Sequence, residues 1–599
     1  MEYDRTYSIR KGEYFADALK RAGKDFIPTN CIINKLLPGL GATHCELTAP
    51  RKSIIIEPNV PVIESKAKKH KNALAVYKGV TIRKVADFLE ENRDKHYKLL
   101  TTPEGFTKIK EAMQAVGIDM YTECFILFDE CEKLVQDVHY RDSIREPMND
   151  FFRFQNKALI SATPIIPEKD NRFDGFMRVL IQPDYAYRQK LKLITTNNVL
   201  ETLQEVIDAK RGTVCIFCNS IDSIDSFYRL IPELSNACTF CSEDGQYKLW
   251  KGNRRKKSMM ITELERYNFF TSRFYSAVDI VCKNPPHVIF ISDLYGAAQS
   301  VIDPATEAIQ IIGRFRGGVN SVTHIASIRP ELECMSAPEI DHWIQGASTV
   351  FNGWKVQLAR TSNIGERTLL QEAIGENSYL PYLDENGKPD PFLIANFYEK
   401  EQVKRLYTSA DLLCNAYQQT SYFEFSHEER LMPVSDNERM AIQHRLAKKK
   451  RAELIVRKLE EMEKMSRTTD RKLQKRYQRM LGNLITSTAD RYIYDCFCRF
   501  GGEFIRESDY NENKLRTALN VSSEQSIKKS GQMKTRIQRT FPIGTELSVQ
   551  EVKSMLKQVY KKMGLNTGRG ITTKELEQYA EVENYRNHET RTIKILKFK

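Results

Sequence analysis

Four short segments carry residue types suited to phosphate chemistry, in one order along the chain: Pro38-Gly39-Leu40-Gly41-Ala42-Thr43, Asp129-Glu130-Cys131-Glu132, Ser161-Ala162-Thr163-Pro164 and Gln310-Ile311-Ile312-Gly313-Arg314-Phe315-Arg316. Gly39 and Gly41 leave room for backbone amides to approach an anion, and Thr43 places a hydroxyl at the mouth of the helix that follows. Asp129 and Glu130 close an apolar run, Phe125-Ile126-Leu127-Phe128. A carboxylate pair there can hold a cation and activate a water. Arg314 and Arg316 add permanently charged forks of donors that match phosphate oxygens.

The succession resembles the motor of superfamily 2 helicases, the DEAD/DEAH-type enzymes, over about residues 26–330. The resemblance implies ATP and Mg2+ as cofactors and a role for each matching residue. Gly39 and Gly41 would cradle the β-phosphate. Thr43 and Asp129 would hold Mg2+, Glu130 would orient or deprotonate the attacking water, and Arg314 would be the arginine finger. Glu132 takes the fourth place of the acidic motif, and Ser161-Ala162-Thr163 matches the segment that links ATP state to nucleic-acid binding. In the second half, Thr271 matches a backbone-contacting residue and Asp279 a nucleotide contact, with Ala277 where a glycine is usual. Gln310 and Arg316 complete the nucleotide set, although Gly317 stands where a second arginine is common. Ile54-Ile55-Ile56-Glu57-Pro58-Asn59 and Thr101-Thr102-Pro103-Glu104-Gly105 fall where the family carries two strand-gripping motifs, which makes Thr102 a nucleic-acid contact. The general look is similar to helicases of bacteriophages or mobile elements.

Ala42 breaks the pattern, because the Walker loop carries its phosphate-binding lysine there. Charge-assisted contacts contribute about 1.5–3 kcal/mol each, so the loss must be met in one of two ways. Either another cation reaches the phosphates, with Lys35 on the preceding strand as the candidate, or the pocket binds nucleotide with little turnover.

These residues need elements to position them. Apolar runs at Ser53 to Glu57, Tyr97 to Thr102, Cys124 to Asp129, Lys157 to Ser161, Val214 to Asn219 and His287 to Ser292 alternate with helical-period stretches, which predicts parallel α/β layers. The fold class expected is α/β: two tandem RecA-like parallel-sheet lobes, residues 1–185 and 186–345, joined near Ile181 to Thr196. A mainly helical basic region, 346–535, and a small module, 536–599, follow. Tyr379 to Phe392 reads as a loop and Glu438 to Met480 as helix, either continuous or broken near Ser466. Ser548-x-x-Glu551 and Thr572-x-x-Glu575 read as capping boxes and Arg591 to Lys599 as a strand. That pattern suits a winged-helix-like DNA-binding module or an interaction domain of the same size.

The net charge of +13 is unevenly placed. From Gly346 onward 44 Lys+Arg face 33 Asp+Glu, and within Ala441 to Met480 the counts are 14 and 5. Lys448, Lys449, Lys450 and Arg451 mark this segment as a phosphate-backbone contact through counterion release. A solvated helical face is the alternative. No apolar run approaches a membrane span and the start is charged, so a cytoplasmic protein is expected. Thirteen cysteines argue against a disulfide framework. Cys215-x2-Cys218 and Cys238-x2-Cys241 have zinc-ribbon spacing, yet positions i and i+3 of a strand face opposite ways, which favours two core strands. The function expected is an ATP-dependent helicase or translocase on nucleic acid, DNA before RNA, working with replication, recombination or repair proteins. A catalytically silent, two-lobed nucleic-acid-binding scaffold is the competing expectation.

Overall fold

The computed structural model describes residues 2–599 apart from 252–256, 259, 262, 277, 441–446, 467–476, 478–489, 566, 568–569 and 588–589. The chain divides into two compact units, Met1–Asn437 and Glu438–Lys599. The first holds two tandem parallel-sheet lobes of the RecA-like kind.

In the first lobe the strands are β1 (Arg5–Ile9), β2 (Cys31–Asn34), β3 (Ser53–Ile56), β4 (Ala73–Val76), β5 (Lys98–Thr101), β6 (Phe125–Asp129), β7 (Asn156–Ser161) and β8 (Met177–Pro183). They form one sheet in the order β1-β8-β2-β7-β6-β3-β5-β4, every neighbouring pair parallel. Both faces are covered, which is why the central strands are unbroken apolar runs. Ile54, Ile56, Ile126 and Phe128 fill the core on one face. Ile55, Phe125 and Leu127 fill the core on the other.

After the turn at 184–188 the second lobe begins with β9 (Gln189–Thr196), followed by β10 (Val214–Phe217), β11 (Cys238–Phe240), β12 (Lys257–Ser258), β13 (Tyr267–Phe270), β14 (His287–Ser292), β15 (Ser321–Ser327) and β16 (Phe423–Arg430). Their order is β12-β11-β13-β10-β14-β15-β9-β16, again parallel throughout. The last strand corrects the expected boundary at 345. Residues 423–430 fall in the stretch read as mainly helical, but they extend the second sheet by pairing with β9 over eight residues. Alternation in Phe-Glu-Phe-Ser-His-Glu-Glu-Arg is weak, and only Phe423 of the eight is buried, so an edge strand here leaves little apolar signal. Between β15 and β16 the helices Ala337–Arg360, Ile364–Gly375, Pro391–Leu406 and Ala410–Gln419 appear as expected for that region. The loop read at Tyr379 to Phe392 holds a three-residue turn of 3-10 helix, Leu380–Tyr382, before the helix that starts at Pro391.

The zinc spacing resolves into strand geometry. Cys215 and Cys238 lie in the core on one face of the second sheet, with Phe217 and Phe270. Cys218 and Cys241 lie in the core on the other. All four are buried, and no group of three or more His, Cys, Asp or Glu side chains poised for a metal occurs among the described residues.

The second unit contains the helix Lys448–Ser466; of the helix expected over Glu438 to Met480, residues 441–446, 467–476 and 478–480 lie outside the described residues. Arg491–Glu507 follows, kinked at Gly501, and then Glu512–Lys528. At the end, the helix Gly531–Thr540 leads to the strand Glu546–Ser548 and the helix Val549–Lys562, whose Ser548–Glu551 capping box is formed. The second capping box, at Thr572, opens a 3-10 helix, Thr573–Gln578, rather than an α-helix. Strands Ala580–Asn587 and Thr590–Phe598 then pair antiparallel, with the Glu546–Ser548 strand against the outer side of Thr590–Phe598. Met533, Ile537, Val552, Leu556 and Ile593 form one core in this module. No helix among the described residues is long and apolar enough to cross a membrane.

Candidate active site

Strand order places the chemistry. In a parallel sheet the loops at the carboxyl ends of neighbouring strands share one edge, and β2, β7, β6 and β3 are consecutive. Lys35, Ser161, Asp129 and Glu57 end or directly follow these strands, so four separated segments converge. Together with the second lobe, Lys35, Asp129 and Glu57 line a cavity of about 440 Å3. Lys35, Gly39, Gly41, Thr43, Asp129, Glu130, Asp279, Gln310, Arg314 and Arg316 all face it.

The first wall is the phosphate loop. Gly41, at φ 82°, precedes the helix Ala42–Thr48, and no side chain caps that helix, so its leading amides remain available to an anion. Ala42 is 3% exposed and packs into the lobe core, where its methyl offers no charge to the cavity. Gly39 also lies directly under the tip of the Arg316 side chain, so that a Cβ built there would displace the guanidinium. The same closeness recurs at Gly313, whose Cβ would meet Pro38 at 2.3 Å. The two lobes therefore touch through two glycines, one from each.

The floor is acidic and oxygen-rich. Thr43 Oγ1 donates to Asp129 Oδ2, and Lys35 Nζ lies 3.4 Å from Asp129 Oδ1. Burial favours the neutral carboxyl, yet the ammonium groups of Lys35 and Lys66 and the Thr43 hydrogen bond together hold Asp129 below the usual carboxylate range. Glu130 occupies a left-handed backbone conformation, φ 54°, an uncommon one for a residue with a Cβ. Its Oε1 sits 3.6 Å from Arg314 Nη2, and its Oε2 is buried with no hydrogen-bond partner among the described residues. An adjacent hydroxyl and carboxylate are the oxygen donors that a hard cation such as Mg2+ takes. An orphaned carboxylate oxygen next to them suits a water. The residues present thus fit the metal that the resemblance implies, and Thr43 and Asp129 are the ones that would hold it.

Across the cavity, Gln310 ties the lobes together. Its Nε2 donates to Glu132 Oε1 and Thr163 Oγ1, both at 3.1 Å, while its Oε1 accepts from Arg314 Nη2 at 3.1 Å. Thr163 is held in turn by its backbone N–H on Ser161 Oγ at 2.9 Å. Glu132, fully buried, has its carboxyl pushed up to about 7 by burial and by the neighbouring Glu130. The unusual fourth acid of the motif therefore accepts a hydrogen bond from the second lobe. Arg316 and Asp279 pair with each other, Nη2 to Oδ1 at 3.0 Å, on the second-lobe wall. Residue 277 lies outside the described residues.

The structure does not bring the expected strand-gripping residues to an open surface. Thr102 is 3% exposed, and Thr271, at 9%, donates to the Phe240 carbonyl at 3.4 Å. In the basic run, Lys448 pairs with Glu512 (3.2 Å), Lys449 with Asp509 (2.6 Å) and Arg451 with Asp490 (2.9 Å), while Lys450 is exposed. Much of that positive charge is already met within its own unit.

One charged pair in the cavity has no counterpart in the motif reading, where Glu57 enters only as part of a strand-gripping segment and Lys66 not at all. Lys66, on the helix Val60–Ala67, donates to both Glu57 oxygens (2.8 and 2.9 Å) and to Thr43 Oγ1 (2.9 Å). Burial pushes the Glu57 carboxyl up to about 7 despite this partner, with Asp129 and Glu130 adding to the rise. The signal in sequence is only a lysine nine residues after a strand-ending glutamate, too loose to select without the fold.

No family model matches the chain, and no curated protein matches it. Among solved structures it is similar to S. cerevisiae Dbp5 bound to RNA and ADP BeF3, at 14% identity and a TM-score of 0.34, over 50% of this chain and 80% of that one. It is similar to the Pyrococcus furiosus Hef helicase domain, at 11% identity and a TM-score of 0.30, over 50% of this chain and 92% of that one. It is also similar to the ATP-dependent Type ISP restriction-modification enzyme LlaBIII bound to DNA, at 10% identity and a TM-score of 0.37, over 90% of this chain and 39% of that one.

Proposed function

We propose that the chain is an ATP-driven helicase or translocase acting on nucleic acid. The observation that carries this reading is the single cavity in which Asp129, Glu130 and Thr43 of one lobe face Gln310, Arg314 and Arg316 of the other. Phosphoryl transfer requires a phosphate cradle, a held metal, a placed water and a cation from the facing lobe, and each has a residue here. Mg2+, when bound, neutralises phosphate charge and orients the transferred group.

The chain's own groups do the rest. Glu130 Oε2 accepts the hydrogen bond of the attacking water, and Arg314, already 3.6 Å from Glu130, lies beside the group on which charge develops. Gln310 couples this chemistry to lobe closure, since its bonds to Glu132 and Thr163 exist only when the lobes meet. Lobe opening and closing, in turn, would move a bound strand. The winged-helix-like end module and the exposed part of the basic run supply further grip, with DNA as the preferred substrate and replication, recombination or repair as the setting.

Ala42 gives the competing reading its footing: a two-lobed scaffold that binds nucleic acid without turnover. ATP hydrolysis measured with and without single-stranded DNA and RNA, beside the Glu130→Gln variant, separates the two. Stimulated turnover that the variant lacks supports the motor. Tight, salt-sensitive binding with no turnover in either protein overturns it.

A further inference from the structure

The phosphate loop of this chain offers no ammonium, since residue 42 is a buried alanine. Three lysines line the cavity, Lys35, Lys66 and Lys69, and the first two, which reach its floor, have different partners. Lys35 turns to Asp129 Oδ1, and its side chain is only 10% exposed. It serves the carboxylate that would hold the metal. Lys66 comes from a separate helix and reaches Thr43 Oγ1, the hydroxyl one residue beyond Ala42. Its side chain is 30% exposed and lines the cavity. A flexible four-carbon stem tipped by a compact charge can swing from a carboxylate to a phosphate oxygen.

Glu57 explains how such a lysine stays in position. Its side chain, 5% exposed, offers both oxygens to the Lys66 ammonium. A buried charge without a partner is costly, so the pair holds the ammonium at the cavity wall. Helix Val60–Ala67 starts with Pro61 in its first turn and buries Ile63 in the lobe core, which fixes the base of the Lys66 side chain.

We propose that Lys66, delivered by the helix that follows β3, is the cation that grips the β- and γ-phosphate oxygens of a nucleoside triphosphate, with Glu57 as the parking site of its ammonium. This rests on the reading of the cavity as a nucleotide site. It divides the missing loop lysine's work: Lys35 orients Asp129, and Lys66 meets the phosphates. Lys66 binds from the flank of the helix that starts at Ala42, so the loop itself is free to carry a small residue.

The test is a titration of the full chain, in Mg2+, with fluorescent N-methylanthraniloyl derivatives of ATP and AMP. Wild type binds the triphosphate more tightly than the monophosphate. Lys66→Ala, with wild-type thermal unfolding, weakens triphosphate binding about tenfold to a hundredfold, the worth of one charge-assisted bond, and leaves monophosphate binding unchanged. Lys66→Arg restores most of the difference. Should the alanine variant unfold, Lys66→Gln, which keeps a donor towards Glu57 and Thr43, is expected to show the same selective loss. Unchanged discrimination in folded Lys66→Ala or Lys66→Gln overturns the assignment alone, and its loss in Lys35→Ala instead transfers the role to Lys35. A wild-type chain that binds neither nucleotide overturns the functional reading and this inference together.

Discussion

Gln310→Leu is the substitution that asks most of the proposed mechanism. Leucine keeps nearly the same volume but removes three side-chain hydrogen bonds, to Glu132, to Thr163 and from Arg314. The first two cross between the lobes. A neutral bond such as that to Thr163 contributes about 1 kcal/mol, and one to an ionised partner about 1.5–3 kcal/mol. Glu132 is near its midpoint at neutral pH, so its bond falls between those values. The closed arrangement then loses about 2–3 kcal/mol relative to the open one, a population change of roughly 30- to 150-fold. Losing the Arg314 contact misaims the guanidinium as well and adds to the effect. DNA-stimulated phosphate release should fall by at least this factor while thermal unfolding stays within about 1 kcal/mol of wild type, because neither lobe's core contains the lost bonds. Wild-type turnover in a normally folded variant would refute the coupling role. A collapse of the unfolding midpoint would show that Gln310 supports folding instead.

The other expectations are narrower. Glu130→Gln should abolish hydrolysis and retain nucleotide binding, measured by phosphate release and by fluorescence titration. Lys35→Ala should likewise end stimulated turnover by freeing Asp129, and unchanged turnover removes Lys35 from the mechanism. Buried Glu57 and Glu132 both titrate near 7, above the ordinary carboxylate value of 4.5. The folded state therefore holds protons that the unfolded state has released between about pH 4.5 and 7, and stability falls as pH rises through that window, by up to about 3 kcal/mol per group. Melting curves across the window should show this slope in wild type and a flatter one in Glu57→Gln and Glu132→Gln; equal slopes would refute the assignment. Chelation should leave the unfolding midpoint unchanged, since Cys215 and Cys238 face one core and Cys218 and Cys241 the other; zinc found at one equivalent would contradict that geometry.

How much of this was legible in the sequence follows from where the information sits. Strands such as Ser53–Ile56 and Phe125–Asp129 are buried on both faces, so their apolar runs stand out. Asp129 and Arg314 were recognisable because each sits in a short motif whose residue types phosphate chemistry dictates. Glu57 and Lys66 carry no such signature. Strand order, with β3 next to β6, sets Glu57 beside Asp129, and about two turns of the helix that follows carry Lys66 back over the edge. The contribution of Phe423–Arg430 to the second sheet was hidden for the same reason: it pairs with a strand more than two hundred residues earlier, and its own side chains are mostly polar.

That late strand also clasps the start of the lobe. His427 Nε2 and Thr195 Oγ1 lie 2.8 Å apart, Arg430 reaches Glu205 at 3.1 Å, Asn198 Nδ2 donates to the Val434 carbonyl at 2.7 Å, and the Val199 N–H is capped by Asp436 at 2.6 Å. A truncation at residue 345 would strip these bonds and bare the rim of β9, with Leu191 and Leu193 nearby, as a sticky template for other chains. Fragments meant to isolate the two lobes need to run through Asp436, or they will precipitate for reasons unrelated to nucleotide.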